Sequence, residues 1–250
     1  MEFDLITYLL LFFAGAGAGF IDSIAGGGGI ITLPVLLAAG IPPHQALATN
    51  KLQSTFGSFT AVTNYTRLGM VSPKDLIEGV LFTLIGAGVG AYTVQQFSAG
   101  FLENLIIVML VVIFLYTAFS PKLGYKSSTH KIPHKVYYAL FGLLIGFYDG
   151  FFGPGTGSFW TMSMIVFLGL DLKAATAQTK LFNFTSNIVS FAVFAYAGLM
   201  LWRVGVLMGA GQMIGAYIGS TLVHRRDVGF VRVFFLIVVA ATIIRLIVAG

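Results

Sequence analysis

Of 250 residues, 57% are hydrophobic and only 9% charged, and the mean hydropathy is +0.92. Soluble domains carry about 25% charged residues, so the composition excludes a water-soluble globule and predicts an integral membrane protein. The absence of cysteine excludes a disulfide framework and thiolate metal sites, and the net charge of +5 lies mostly in a few loops, as a topology signal rather than a nucleic-acid footprint.

In chain order, the first dozen residues bear Glu2 and Asp4 as their only side-chain charges. They lack the basic start of a signal peptide and read as the beginning of a spanning helix. Apolar segments fall at about 4–24, 28–41, 45–68, 76–97 and 101–119. A polar stretch at 120–135 follows, with Lys122, Lys126, Lys131 and Lys135. A second set lies at about 134–152, 156–169, 174–198, 203–223 and 229–248. Eight of the ten supply the roughly 20 residues that a crossing needs, whereas 28–41 and 156–169 hold about 14 and read as half-helices. The expected organisation is an N-terminal transmembrane repeat (1–119), a basic cytoplasmic linker (120–135) and a C-terminal repeat (136–250).

The two sets are copies. Gly19-Phe20-Ile21-Asp22, the glycines at 26–29, Gly40 and Lys51-Leu52 recur as Gly146-Phe147-Tyr148-Asp149, Gly153/Gly155/Gly157, Gly169 and Lys180-Leu181. Asp22 and Asp149 are 127 apart but Lys51 and Lys180 are 129 apart, so the second copy holds two extra residues between its motifs. A duplicated apolar unit broken by glycine is the signature of a secondary transporter. Lysine and arginine bias places the central loop in the cytoplasm and the N-terminus outside. An odd number of passages per half follows, which inverts the halves relative to each other. The expected fold is therefore an all-α polytopic membrane protein of two inverted repeats, about five segments each, the second a short half-helix after a glycine-rich break. A four-plus-four, re-entrant count is the alternative.

Glycines cost about 1 kcal/mol each within a helix, and broken backbone at membrane depth survives only where protein or a water-filled cavity satisfies it. A half-helix starting there presents free N–H groups and about half a positive charge. Gly27, Gly28, Gly155 and Thr156 at the two starts are thus candidate anion contacts. Lys51 and Lys180 sit about two turns inside their segments, where a cation costs about 2.5–3.5 kcal/mol near the bilayer centre. A carboxylate or a bound anion has to offset that cost. Asp22 and Asp149 are candidates for a structural or coupling ion pair, or for caps of the broken backbone. Asn50, Ser54 and Ser58 share one helix face, as do Thr179, Asn183, Asn187 and Ser190, with Gln53 and Gln178 close by. These matched stripes read as a lined pathway. Four-residue glycine spacings at Gly15/Gly19, Gly86/Gly90, Gly142/Gly146/Gly150 and Gly211/Gly215/Gly219 predict close helix packing, and are compatible with a homodimer. The four histidines have no ligand spacing, so no metal or cofactor is expected.

With these motifs side by side, the chain resembles the sulfite exporter (TauE/SafE-type) permease family. The carriers are Gly-Phe-x-Asp before a glycine run, Ala-x-Ala-Thr-Asn-Lys51, and its degenerate copy ending Ala-Gln-Thr-Lys180. The resemblance covers nearly the whole chain. It implies a bacterial or archaeal inner-membrane transporter of small sulfur-containing anions such as sulfite, sulfonates and sulfoacetate, with export as the expected direction. Substrate would lie between the half-helix starts, with Lys51 and Lys180 supplying charge and Asn50, Gln53, Gln178, Thr179 and Asn183 orienting its oxygens. The expected partners are the anion and the bilayer, with no nucleic acid. The rival readings are a passive anion channel, a cation permease (disfavoured by two buried lysines), and an intramembrane aspartyl protease. Tyr148-Asp149 suggests the last, but its Gly-x-Gly-Asp partner motif is missing.

Overall fold

The computed structural model describes residues 3–119 and 132–225, and every regular element among them is helical. The elements are α1 (Leu5–Ala25), α2 (Gly28–Ala38), α3 (Pro43–Arg67), α4 (Ile77–Val94), α5 (Ala99–Phe119), α6 (His134–Phe151), α7 (Thr156–Ser163), α8 (Leu172–Tyr196) and α9 (Trp202–Arg225). A 3-10 turn (Pro73–Leu76) leads into α4, and α7 continues into a π turn (Met164–Leu168). The bounds agree within three residues with the nine apolar segments expected in this stretch. The tenth, at 229–248, and most of the basic linker lie outside the described residues.

Local chemistry explains the helix ends. Asp4 and Asp171 cap α1 and α8, their Oδ1 atoms accepting from the backbone N–H of Thr7 at 3.0 Å and of Ala174 at 2.9 Å. Pro42-Pro43 opens α3, where a missing N–H costs nothing. Gly40 and Gly69 close α2 and α3 in the left-handed region, and Gly169 and Gly198 do the same 129 residues later. The repeat is therefore conformational as well as chemical.

By length and composition, three described spans are apolar enough to cross a membrane: Leu5–Ala25, Pro73–Val94 and Trp202–Arg225. That is fewer than segment length alone suggests. The 25-residue α3 and α8 are as long but carry polar and charged residues such as Asn50, Lys51, Lys180 and Asn183, and they turn these inward. Lys51 and Lys180 are among the largest fully buried side chains, whereas Leu10, Phe13, Ile85 and Tyr217 face outward. The shell is oily and the centre polar, as expected of a chain whose solvent is lipid.

The halves interlock. Gly15 and Gly19 of α1 lie against Met208 and Gln212 of α9, and Gly215 returns the contact to Ala16 and Phe20. Gly86 and Gly90 of α4 lie against Phe147 and Phe151 of α6 in the same way. Numbers rise together along both contacts, so each pair runs parallel. α3 also runs with α9, since Gly205 meets Leu52, Gly209 meets Phe56, and Asn64 Nδ2 donates to Ser220 Oγ at 2.8 Å. α4 runs with α8, with Gly79 at Phe182 and Gly88 at Val189. Without a Cβ at these glycines, the backbones approach closely enough for dispersion to hold them together in lipid. The four-residue glycine faces are thus used inside the molecule.

Candidate functional site

Lys51 and Lys180 each stand eight residues beyond the first residue of their helix, at Pro43 and Leu172. At about 1.5 Å per residue each is about 12 Å along it. Asp22 and Asp149 lie within the last turn of α1 and α6, just before the glycine breaks. The two breaks meet back to back: Gly26 Cα stands 2.5 Å from where a Cβ on Gly157 would be, and Ser158 Oγ donates to Gly26 O at 2.9 Å. Gly26 has φ +71°, so it is suited to this position both by its backbone and by the missing side chain. This junction brings the carboxylate of each half to the lysine of the other. Lys51 Nζ bonds Asp149 Oδ1 at 2.6 Å, and Lys180 Nζ bonds Asp22 Oδ2 at 3.1 Å.

The two pairs are equivalent in sequence but not in surroundings. Lys51 also donates to the Asp149 carbonyl oxygen, and Ser186 Oγ donates to Asp149 Oδ2. The Asp149 side chain is 4% exposed. Asp22 is 22% exposed, and its Oδ1 accepts from the backbone N–H groups of Gly27 at 3.0 Å and Gly28 at 3.3 Å, the start of α2. Among the described residues Asp149 makes no such cap on α7, where Thr156 Oγ1 instead donates to Gly153 O. Ion pairing offsets the cost of four charges at membrane depth, since a charge left alone there is destabilising by several kcal/mol.

A polar cavity of about 20 Å³ adjoins these groups, room for a water molecule or so. It is lined by Asp22, Asp149, Lys51, Asn50 and Asn183, with Gly27, Gly28, Gly155 and Thr156 at the helix starts. Ser54 and Asn187, from the two polar stripes, complete one wall. Lys180, Gln53, Gln178 and Thr179 stand outside the lining. Lys180 is bonded to Asp22 and fully buried, Gln53 Nε2 donates to Asn50 Oδ1 at 3.0 Å, and Thr179 pairs with Thr161 at 3.1 Å. Asn50 Oδ1 also accepts from Thr32 Oγ1 at 2.6 Å, so its oxygen is engaged twice within the protein. Asn183 Oδ1 is buried without a partner.

Sequence reasoning missed Thr32, Thr161 and Ser186. The first two were findable: they are 129 apart, and they tie α2 to Asn50 and α7 to Thr179 at equivalent positions. The same spacing relates Thr83 and Gln212, both buried with an unpartnered polar atom at the α4–α6 and α1–α9 crossings. Ser186 carries no such signal.

A family model described as sulfite exporter TauE/SafE matches residues 11–246. The chain is 43% identical to "Probable membrane transporter protein ORF9" of Sinorhizobium sp, over 97% of this chain and 94% of that one. It is 40% identical to "Probable membrane transporter protein YfcA" of Escherichia coli K12, over 92% and 86%, and 38% identical to a Haemophilus influenzae protein named as a probable membrane transporter, over 93% and 91%. No solved structure matches the chain. Helical architecture, twin glycine breaks and the match along almost its whole length all agree: this multi-pass membrane protein belongs to the sulfite exporter TauE/SafE family.

Proposed function

We propose that the chain is a secondary transporter that moves a small sulfur oxyanion of the sulfite, sulfonate or sulfoacetate type across the plasma membrane of a bacterium or archaeon. It works by alternating access between two inverted halves. The observation that carries this reading is the reciprocal pairing of each half's lysine with the other half's aspartate, at a polar cavity built on two helix starts. An anion entering the cavity meets the Lys51 ammonium, the Asn50 amide and backbone N–H groups, the donors that oxyanions need. Inversion is supported by the packing. α1, α3 and α9 run together, α4, α6 and α8 run together, and the short 68–72 connection turns the chain from the first set to the second. The tight cavity supports a gated carrier rather than an open pore. Export follows from charge: an inside-negative potential favours exit of an anion by about 2.3 kcal/mol per charge per 100 mV.

Proteoliposomes test the reading. Sulfite or methanesulfonate loaded inside should leave saturably and faster with the lumen negative. Lys180→Gln and Asn50→Ala should each slow this flux about tenfold, the loss expected for a charge-assisted or buried hydrogen bond. Flux no faster than from protein-free vesicles, or conductance that never saturates, would overturn it.

A further inference from the structure

We propose that the Asp22 carboxylate is a tethered stand-in for the transported anion: it holds the site's donors in this state, and substrate must displace it. This rests on the anion-transport reading. Three donors converge on that one carboxylate, namely the backbone N–H groups of Gly27 and Gly28 on Oδ1 and the Lys180 ammonium on Oδ2. They combine a helix start with a fully buried ammonium, the set that a sulfo group with three oxygens would engage. Among the described residues Lys180 has no other acceptor, and it is absent from the cavity lining to which Asp22 belongs. Asn183, 4% exposed, lines the same cavity as Asp22, and its amide N–H groups rather than its unpartnered Oδ1 are what it offers an oxyanion.

Asp22 is also the least enclosed of the four charged groups. Its side chain is 22% exposed, against 0–4% for Lys51, Asp149 and Lys180. Asp149 is held by Ser186 and by a lysine that also grips its carbonyl. Withdrawing Asp22 toward the cavity releases a helix start and an ammonium together, whereas withdrawing Asp149 strands a buried carboxylate. The two halves therefore share a motif but divide the work: the Lys180–Asp22 pair exchanges with substrate and the Lys51–Asp149 pair locks the halves.

Titration of the full-length purified protein with sulfite and with methanesulfonate decides the matter. Asp22→Asn keeps an oxygen for the Gly27 and Gly28 N–H groups but removes the competing charge, so both anions should bind about tenfold more tightly, the scale of one close charge pair. Asp149→Asn should bind no more tightly than wild type. Asp22→Ser retains a capping oxygen without charge and serves as the second variant should Asp22→Asn fail to fold. Lys180→Gln should lose binding in either background. Wild-type binding that Asp22→Asn or Asp22→Ser leaves unchanged or weakens overturns the stand-in role and leaves the transport reading intact. No binding of either anion by wild type or by any variant overturns the transport reading, and this inference with it.

Discussion

Lys51 and Lys180 occupy equivalent positions, yet their loss should not be equivalent. Lys51→Met strands Asp149, a nearly fully buried carboxylate whose remaining side-chain partner is Ser186. Breaking one side of a buried pair costs about 3–5 kcal/mol, whereas replacing both sides with apolar groups is often neutral. Chemical denaturation in detergent should show Lys51→Met destabilised by about that amount, and Lys51→Met/Asp149→Leu restored to within about 1 kcal/mol of wild type. A double variant as unstable as the single one would mean that the pair shapes the fold by more than its charges. Asp22 keeps two backbone donors when Lys180 is removed, so Lys180→Met should be the milder lesion in the same assay.

Among the elements, the helix breaks depend on glycine in a way that the helix faces do not all share. A side chain on Gly26 would meet the backbone of Gly157 and Ser158 and would sit at φ +71°, a conformation costing an L residue about 1–2 kcal/mol before any clash. Gly26→Ala should therefore lower the melting temperature and stop transport. Gly17 faces open space on the outer side of α1, where alanine gains up to about 1 kcal/mol of helix propensity. Gly17→Ala should melt at or above the wild-type temperature and transport normally. If the two variants behaved alike, the back-to-back junction would not be what the glycine run is for. The half-helices themselves were legible from length: the 11 residues of α2 extend about 16 Å, half of a bilayer core of about 30 Å.

For the whole molecule, inversion makes a topological prediction that the absence of cysteine renders simple to test. Lys74 and Arg203 are exposed and 129 apart, at the starts of the fourth helical segments of the two halves. Single cysteines placed there should react with a membrane-impermeant maleimide from opposite sides, Arg203→Cys in intact cells and Lys74→Cys only in inverted vesicles. Labelling from one side would replace inverted halves with parallel ones and remove the two-fold logic of the site. Reciprocal packing of α1 on α9 and α4 on α6 also means that neither half covers its own glycine faces, so the halves are expected to unfold together in one transition.

Hydropathy, the 127- and 129-residue spacings and the glycine clusters were enough to predict a membrane protein of duplicated helices, the half-helices, and the buried ionic groups. Those features are written in composition and period, which lipid constrains directly: apolar length decides crossing, and glycine decides where backbones touch or break. Which aspartate meets which lysine was beyond the sequence, because each pair joins residues 98 or 158 positions apart through packing between halves. So was the unequal treatment of the two pairs. The two residues added between Asp149 and its helix break were visible as the 127- against 129-residue spacing. That Ser186 would reach Asp149 and the start of α2 would reach Asp22 was not visible, because those partners are chosen by how the helices pack.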